Sequence, residues 1–352
     1  MPAKRPTDMR SPPTDVNVGT HNTTKAASIN AVAEYAGVSI ATVSRVLNSS
    51  KPVNAHTRER VEAAVEALGY RANMFARSLM RGESHLLLVL MPDFANPFFS
   101  ETVKGIESVA RRQGYNIVLS GAPDTLAREG HSLDILYNRL VDGVISLANY
   151  HDLPRVLRDV PNLPWVSCSE FNPESHVPHV SIDHEQAAVD AVQYLINRGH
   201  RRIALLGADE NYAWARQRRA GYEMALRRAG LVIEPQLIRI ARGTDYSFGM
   251  EAAGALLAQE SPPTSVFAVS DTLAIGAIKA FRRAGRRVPE DIAVVGFDNI
   301  PLSQVFEPAL TTIAQPMFEL GAEAANLLLE RLAGGAPGSR TLQHSLVVRE
   351  SA

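Results

Sequence analysis

With 352 residues and 45% hydrophobic content, the chain is longer than one ordinary domain requires and can bury a substantial core beside a smaller module. It contains no run of about 18 apolar residues, which excludes a membrane-spanning helix, and its basic start leads into no apolar stretch, which excludes a secretory signal. The net charge of −1 is unevenly spread, with 11 Lys and Arg against 6 Asp and Glu up to Arg81 and 25 against 31 beyond it; a head that alone meets a phosphate backbone would look so, as would uneven solvated charge.

Residues 1–27 are rich in Pro, Thr, Asn and Ser without an apolar pattern and read as a disordered tail. A three-helix unit follows over 28–71. Ser28 can cap a first helix whose apolar face is Ile29, Val32, Ala33 and Ala36. In AGVSIATVSRVLN, Ala36 to Asn48, Gly37 supplies the positive φ of a tight turn, and Ser39 can cap a second helix by accepting from the N–H of Thr42. Val43, Val46 and Leu47 then share one face, leaving Ile40, Ala41, Ser44 and Arg45 on another. Such a pair of helices suits docking in the major groove, and a plain αα-hairpin has the same periodicity. The third helix starts after Asn54 and runs through Val61, Val65 and Leu68 to Gly69. Residues 72–84, around MFARSLMRG, form a connector that is helical in propensity and too short to be stable alone.

From 85 to 352 the pattern changes. LLLVLMP, a helix to Gly114, NIVLSG, a helix to Leu140, GVISLA and PWVSCS form one series. RIALLG, a helix to Gly230, LIRIA, a helix to Gln259, SVFAVS, a helix to Gly285 and DIAVVGF form a second. Strands at this spacing imply parallel α/β sheets, and two series imply two lobes. Ligands of such sheets bind beyond the carboxyl ends of the strands, here in the cleft between lobes. The single cysteine, Cys168, excludes an intrachain disulfide, fits a reducing cytoplasm and reads as a small core residue after a strand start at Trp165. No P-loop, no GxGxxG after the first strand and no GxSxG occur, so neither a cofactor nor a catalytic residue is expected. His176, His179, Asp183, His184 and Glu185 cluster locally, but their spacing suits neither one helix face nor a zinc ribbon, and no metal is expected.

The run SINAVAEYAGVSIATVSRVLN, Ser28 to Asn48, resembles the DNA-binding headpiece of the LacI family of bacterial repressors. VNAHTRERVEAAVEALGY, NMFARSLMRG, DFANPFF, GHRRIALLG, SDTLAIGA, VPEDIAVVGFDN and LTTIAQP continue the match in the family's order, to about Glu350. Residues 1–27 have no counterpart. The resemblance implies an N-terminal all-α helix-turn-helix headpiece with a hinge helix, followed by a two-lobed α/β periplasmic-binding-protein-like core with parallel sheets. It places chain crossings between lobes near Ser181 to His184, near Leu310 to Gln315 and after Leu332. It also implies a cytoplasmic homodimer with two partners, a double-stranded DNA operator and a small-molecule effector, and no membrane. Only VVRESA follows Leu346, whereas tetramers in the family need an added helix, so a dimer is expected. The rival from another class is a solute-binding protein or sugar-processing enzyme on the same scaffold, against which the headpiece argues.

The resemblance assigns base reading to Ile40, Ala41 and Arg45. Arg45 can bond bidentately to guanine or take a phosphate, and the apolar pair can offer only thymine-methyl contact or steric exclusion. Ser39, Thr42, Ser44 and Asn48 are short donors suited to phosphate oxygens. Many members carry an acidic residue where this chain has Ala31, so the reciprocal capping box is missing. Leu79 matches the family's minor-groove lever, and Ala76 would let two hinge helices approach. In the cleft, Phe98 and Phe99 match an aromatic that stacks on ligand, although Phe99 reads equally as core. Arg216 matches a ligand-bonding arginine, although the run Arg216, Arg218, Arg219 equally suits a solvated face. Asp298 matches an acceptor for ligand hydroxyls, and Asp271 reads as a cap for the next helix that supports the site from behind. SEFNPE, FDNIPLSQ, TTIAQP and the late GSR look closest to the cytidine-responsive, nucleoside branch, on which Trp214, Glu170 and Asp298 would grip base and ribose. Tyr212 stands where the purine-responsive branch has an arginine, and a sugar or sugar acid remains a competitor.

Overall fold

The computed structural model describes residues 27–48, 52–70, 83–121, 130–148 and 153–352. The chain divides into two compact units, Met1–Met80 and Arg81–Ala352. In the first, α1 (Ile29–Ala36) is capped by Ser28 Oγ, which accepts from Ala31 N–H at 3.2 Å, and Gly37 leaves it in the left-handed region at φ 60°. α2 (Ile40–Asn48) begins at Ser39, whose Oγ accepts from Thr42 N–H at 3.2 Å. Asn54 caps α3 (Ala55–Ala67) through His56 N–H at 3.0 Å. Val32, Ala33, Ala36, Val43, Val46, Val61 and Ala64 form the small core. Arg60 reaches back from α3 to donate to the carbonyl of Ala36, bracing the turn between α1 and α2.

The second unit holds two six-stranded sheets. The first lobe is built from β1 (Leu86–Met91), α4 (Pro97–Arg112), β2 (Asn116–Gly121), α5 (Gly130–Tyr137), β3 (Gly143–Ser146), α6 (Leu153–Asp159), β4 (Trp165–Cys168) and β5 (His179–Ile182). The second is built from α7 (His184–Asn197), β6 (Ile203–Gly207), α8 (Ala213–Arg228), β7 (Ile238–Ile240), α9 (Tyr246–Leu257), β8 (Ser265–Ala268), α10 (Asp271–Arg283), β9 (Ala293–Asp298), α11 (Pro301–Val305) and β10 (Thr311–Ala314). α12 (Met317–Leu332) then returns to pack on α4, and the chain ends through β11 (Arg340–Leu342) and β12 (Ser345–Val347). The sheet orders are β11-β5-β4-β3-β1-β2 and β12-β10-β9-β8-β6-β7, parallel throughout except that β12 runs antiparallel to β10. The inner strands are continuous apolar runs because helices cover both faces. α6, between GVISLA and PWVSCS, is an addition to the sequence reading.

The chain passes between lobes at Asp183, at Gln315–Pro316 and between Leu342 and Ser345. Asp183 caps α7 through Gln186 N–H at 2.9 Å, His179 stacks on Phe171 with ring centroids 3.7 Å apart, and His184 is buried, so the His/acid cluster is spent on local structure. Among the described residues no group of His, Cys, Asp and Glu is arranged to hold a metal. Asp142 fastens the start of the unit by accepting from the N–H of Ser84 at 2.7 Å and of His85 at 2.8 Å. Among the described residues no helix is long and apolar enough to cross a membrane.

Candidate functional site

Two surfaces carry the chemistry. On α2, Val43 and Val46 are buried against the small core, which turns Ile40, Ala41 and Arg45 to solvent; Ile40 is 49% exposed. Ser39 and Thr42 bond each other at 2.9 Å and share an open depression with Arg45 and Thr57. Ser44 is half-buried on the same helix, and Asn48 ends it. Ala76 and Leu79 lie outside the described residues, as do residues 1–26.

The other surface is a cavity of about 220 Å³ between the lobes of the second unit. The first lobe contributes Phe98 and Phe99 from the start of α4, in edge contact at 5.3 Å, and Glu170 after β4. The second contributes Tyr212, Trp214 and Arg218 around the start of α8, Asp298 at the end of β9 and Gln315 after β10. Tyr212 and Trp214 stack with centroids 5.8 Å apart, giving the cavity aromatic walls in both lobes.

Arg218 is 4% exposed. It donates to the carbonyl of Val269 and, at 3.3 Å, to His184 Nδ1, and it stands 3.6 Å from the Asp298 carboxylate. Its guanidinium lies 3.6 Å over the Phe297 ring and 4.7 Å from that of Trp214. Burial pulls Arg218 down to about 10, offset by Asp298, Asp271 and Glu170, so it stays cationic at neutral pH. Burial and then Arg218 hold His184 well below the usual histidine range, which suits a neutral ring accepting at Nδ1. Burial pushes Asp298 up to about 6 against the pull of Arg218 and of Gln315 Nε2, which donates to Asp298 Oδ1 at 2.7 Å. Asp298 and Asn299 hold φ values of 114° and 61°, a strained pair at a strand end of the kind functional sites retain.

Two readings need correction. Arg216 does not line the cavity; it is exposed and donates to the carbonyl of Glu210, while Arg219 pairs with Glu210 and Glu223. Two residues along a helix turn the side chain about 200°, so Arg216 and Arg218 cannot share a face. Trp214 and Arg218, spaced i,i+4, do share one, and that spacing was the available signal. Nor does Asp271 cap α10: Ser270 Oγ does, accepting from Leu273 N–H at 3.3 Å. Asp271 is fully buried outside the lining, accepting from Thr312 Oγ1 at 2.5 Å and Ile300 N–H at 2.9 Å, and burial and then Asp298 raise it well above the carboxylate range.

Glu170 reaches across the cleft. Its carboxylate accepts from the N–H groups of Ala213, at 3.0 Å, and Trp214, at 3.4 Å, so a first-lobe residue caps a second-lobe helix. Burial pushes Glu170 up to about 7, against those two hydrogen bonds and the charges of Arg216 and Arg218. Between its ordinary value of 4.5 and about 7 the folded chain holds a proton that the unfolded chain has released. This group therefore favours the fold most below 4.5, and that contribution declines as pH rises to about 7. Glu170→Gln should flatten the fall in melting temperature between about pH 5 and about pH 8 relative to the parent. Parallel melting profiles for the two proteins would refute the assignment.

Residues 28–73 match the bacterial regulatory proteins of the lacI family, and residues 192–352 match the periplasmic binding protein-like domain. Over 331 residues the chain is 41% identical to the HTH-type transcriptional repressor CytR of Escherichia coli strain K12, covering 93% of this chain and 96% of that one. The lac repressor dimer bound to operator and the anti-inducer ONPF is similar at 32% identity and a TM-score of 0.80, over 93% of this chain and 99% of that chain. The transcriptional regulator CelR in complex with cellobiose is similar at 33% identity and a TM-score of 0.70, over 93% and 100%.

Proposed function

The chain belongs to the LacI family of bacterial regulatory proteins, and on that basis we propose an effector-controlled repressor. It is a DNA-binding transcriptional regulator and not an enzyme. As a homodimer in the cytoplasm it binds a near-palindromic operator, placing α2 of each subunit in the major groove. Ile40, Ala41 and Arg45 meet base edges, Ser39, Thr42, Ser44 and Asn48 hold phosphates, and Leu79 wedges the minor groove beside Ala76. A nucleoside or sugar in the cleft sets the lobes' relation. The observation that carries this is the buried Arg218–Asp298 pair, which offers a donor and an acceptor side by side between aromatic walls. Movement of the first lobe is handed to the connector, residues 72–84, because Asp142 fastens Ser84 and His85 to that lobe.

Footprinting on DNA upstream of its own operon, with and without nucleosides and sugars, tests the proposal. A protected near-palindrome whose occupancy responds to one of them is expected, and the absence of any protection at moderate salt would sink it. In the same assay Arg45→Ala should relax preference at one operator position by about 1–3 kcal/mol while leaving most salt-dependent binding in place. A uniform loss across all sequences would instead make Arg45 a phosphate contact.

A further inference from the structure

Among the described residues three helices besides α8 open on the cavity, and each of these four N-termini is already filled by a side-chain oxygen. Asn96 accepts from Phe98 N–H at 3.0 Å for α4, Asp245 from Ser247 N–H at 2.8 Å for α9, and Ser270 serves α10. At α8 the oxygen comes from the opposite lobe, as the Glu170 carboxylate, which is 2% exposed. Uncapped helix N-termini are where a phosphate or carboxylate ligand would settle. Here two of the four carry a carboxylate of the chain itself.

The charge of the lining agrees. Among the described residues, Asp93 and Asp209 join Glu170, Asp245 and Asp298 around the cavity, against Arg218 and Arg242. The charge of Arg218 is already balanced by Asp298, 3.6 Å away. An independent observation points to what the cavity does take. Gln315 lines it, is 4% exposed and gives its Nε2 to Asp298, while its Oε1 has no hydrogen-bond partner among the described residues. A buried, unused acceptor beside a carboxylate calls for a ligand that brings O–H or N–H donors.

Resting on the effector reading above, we infer that the cleft accepts an uncharged, donor-rich effector and rejects its phosphorylated or carboxylated counterpart, because Glu170 holds the helix N-terminus where the anion would sit. Glu170 is a specificity determinant as well as a contact between lobes. Once Glu170 ionises, above about pH 7, a nucleoside is told from its monophosphate, or a sugar from its sugar acid, by a charge the protein itself places in the site.

The test is isothermal titration calorimetry on the full chain at about pH 8, where Glu170 is ionised. Uncharged nucleosides and sugars are each compared with their monophosphate or sugar-acid counterpart, in the parent and in Glu170→Gln. The parent should prefer the uncharged member by about tenfold or more, and Glu170→Gln should narrow that ratio severalfold. On the parent alone, raising the salt from about 0.05 to about 0.5 M should narrow it too, a readout that survives if the variant fails to fold. Equal affinity for both members of a pair, or a ratio untouched by salt and by Glu170→Gln, would overturn the inference while leaving the effector reading in place. No binding by any uncharged compound would overturn that reading and this inference with it.

Discussion

Arg218→Ala is expected to be among the most damaging single substitutions in the second unit, costing about 3–5 kcal/mol and abolishing the response to effector. The side chain neutralises Asp298, which is 5% exposed, and its charge also bears on fully buried Asp271. Truncation leaves the Asp298 carboxylate in a low-dielectric cleft without its cation and orphans the Val269 carbonyl and His184 Nδ1. Asp298 is raised to about 6 even with Arg218 present, so without it the carboxyl must climb further and escape by taking up a proton. The loss should thus be larger at about pH 8, where that proton has to be given up, than at about pH 5. Urea titration at both values reads this directly. A loss below about 1 kcal/mol at the higher pH would mean that the pair is solvated and that the cleft is not assembled around it. Arg218→Met, which puts an apolar side chain where the guanidinium lies over Phe297 and Trp214, should recover part of the packing but none of the ligand response.

That Arg218 and not Arg216 holds this place illustrates what the sequence could and could not convey. The helices to Gly114, Leu140, Gly230, Gln259 and Gly285 are legible from apolar spacing, and the strand–helix alternation gives two lobes because inner strands must be apolar on both faces; β5, α7, α11, β10 and α12, around the lobe crossings, are not among the elements read from the sequence. Phase within a helix was not legible: WARQRRAGY offers three arginines, and only the start of α8 at Ala213 decides which one turns inward. α6 escaped notice as a seven-residue helix between two strands, and β11 and β12 are three-residue edge strands with exposed or half-buried side chains that leave no apolar run. Glu170 was legible as a candidate but not in its role, since its partners are backbone N–H groups 43 and 44 residues away. Gln315 carried no local signal at all; its importance comes from the crossing that brings it beside Asp298. On α2, by contrast, the whole argument is local. Gly37, Ser39 and the buried valines fix which face points outward, so that surface could be named in advance.

Gly321→Ala should rival Arg218→Ala in cost while touching no charged group. Gly321 on α12 faces the backbone of α4, where an added Cβ would collide with the Thr102 carbonyl and lie 3.1 Å from Ile106 N. Gly105 on α4 faces α12 in return, its added Cβ colliding with the Phe318 carbonyl and lying 2.8 Å from Ala322 N. Each glycine admits the other helix's main chain, so a methyl at either one cannot be absorbed by a rotamer change. The helices must separate, and buried Leu320, Ala324 and Leu328 must loosen against Ile106 and Val109. That places the cost at the upper end of overpacking, about 3 kcal/mol or more. The consequence reaches the cleft by geometry alone: Phe98 and Phe99 stand in the first turn of α4, and α12 begins two residues after Gln315. A shift of either helix moves a wall of the cavity, so the surviving folded protein should bind effector more weakly although no lining residue has changed. Gly338→Ala is the control, since among the described residues nothing lies within 4 Å of its added Cβ, and it should change neither stability nor binding beyond about 0.5 kcal/mol. If Gly321→Ala melted with the control, the close approach of α4 and α12 would not be a requirement of the first lobe, and the link from that contact to the cleft would fall with it.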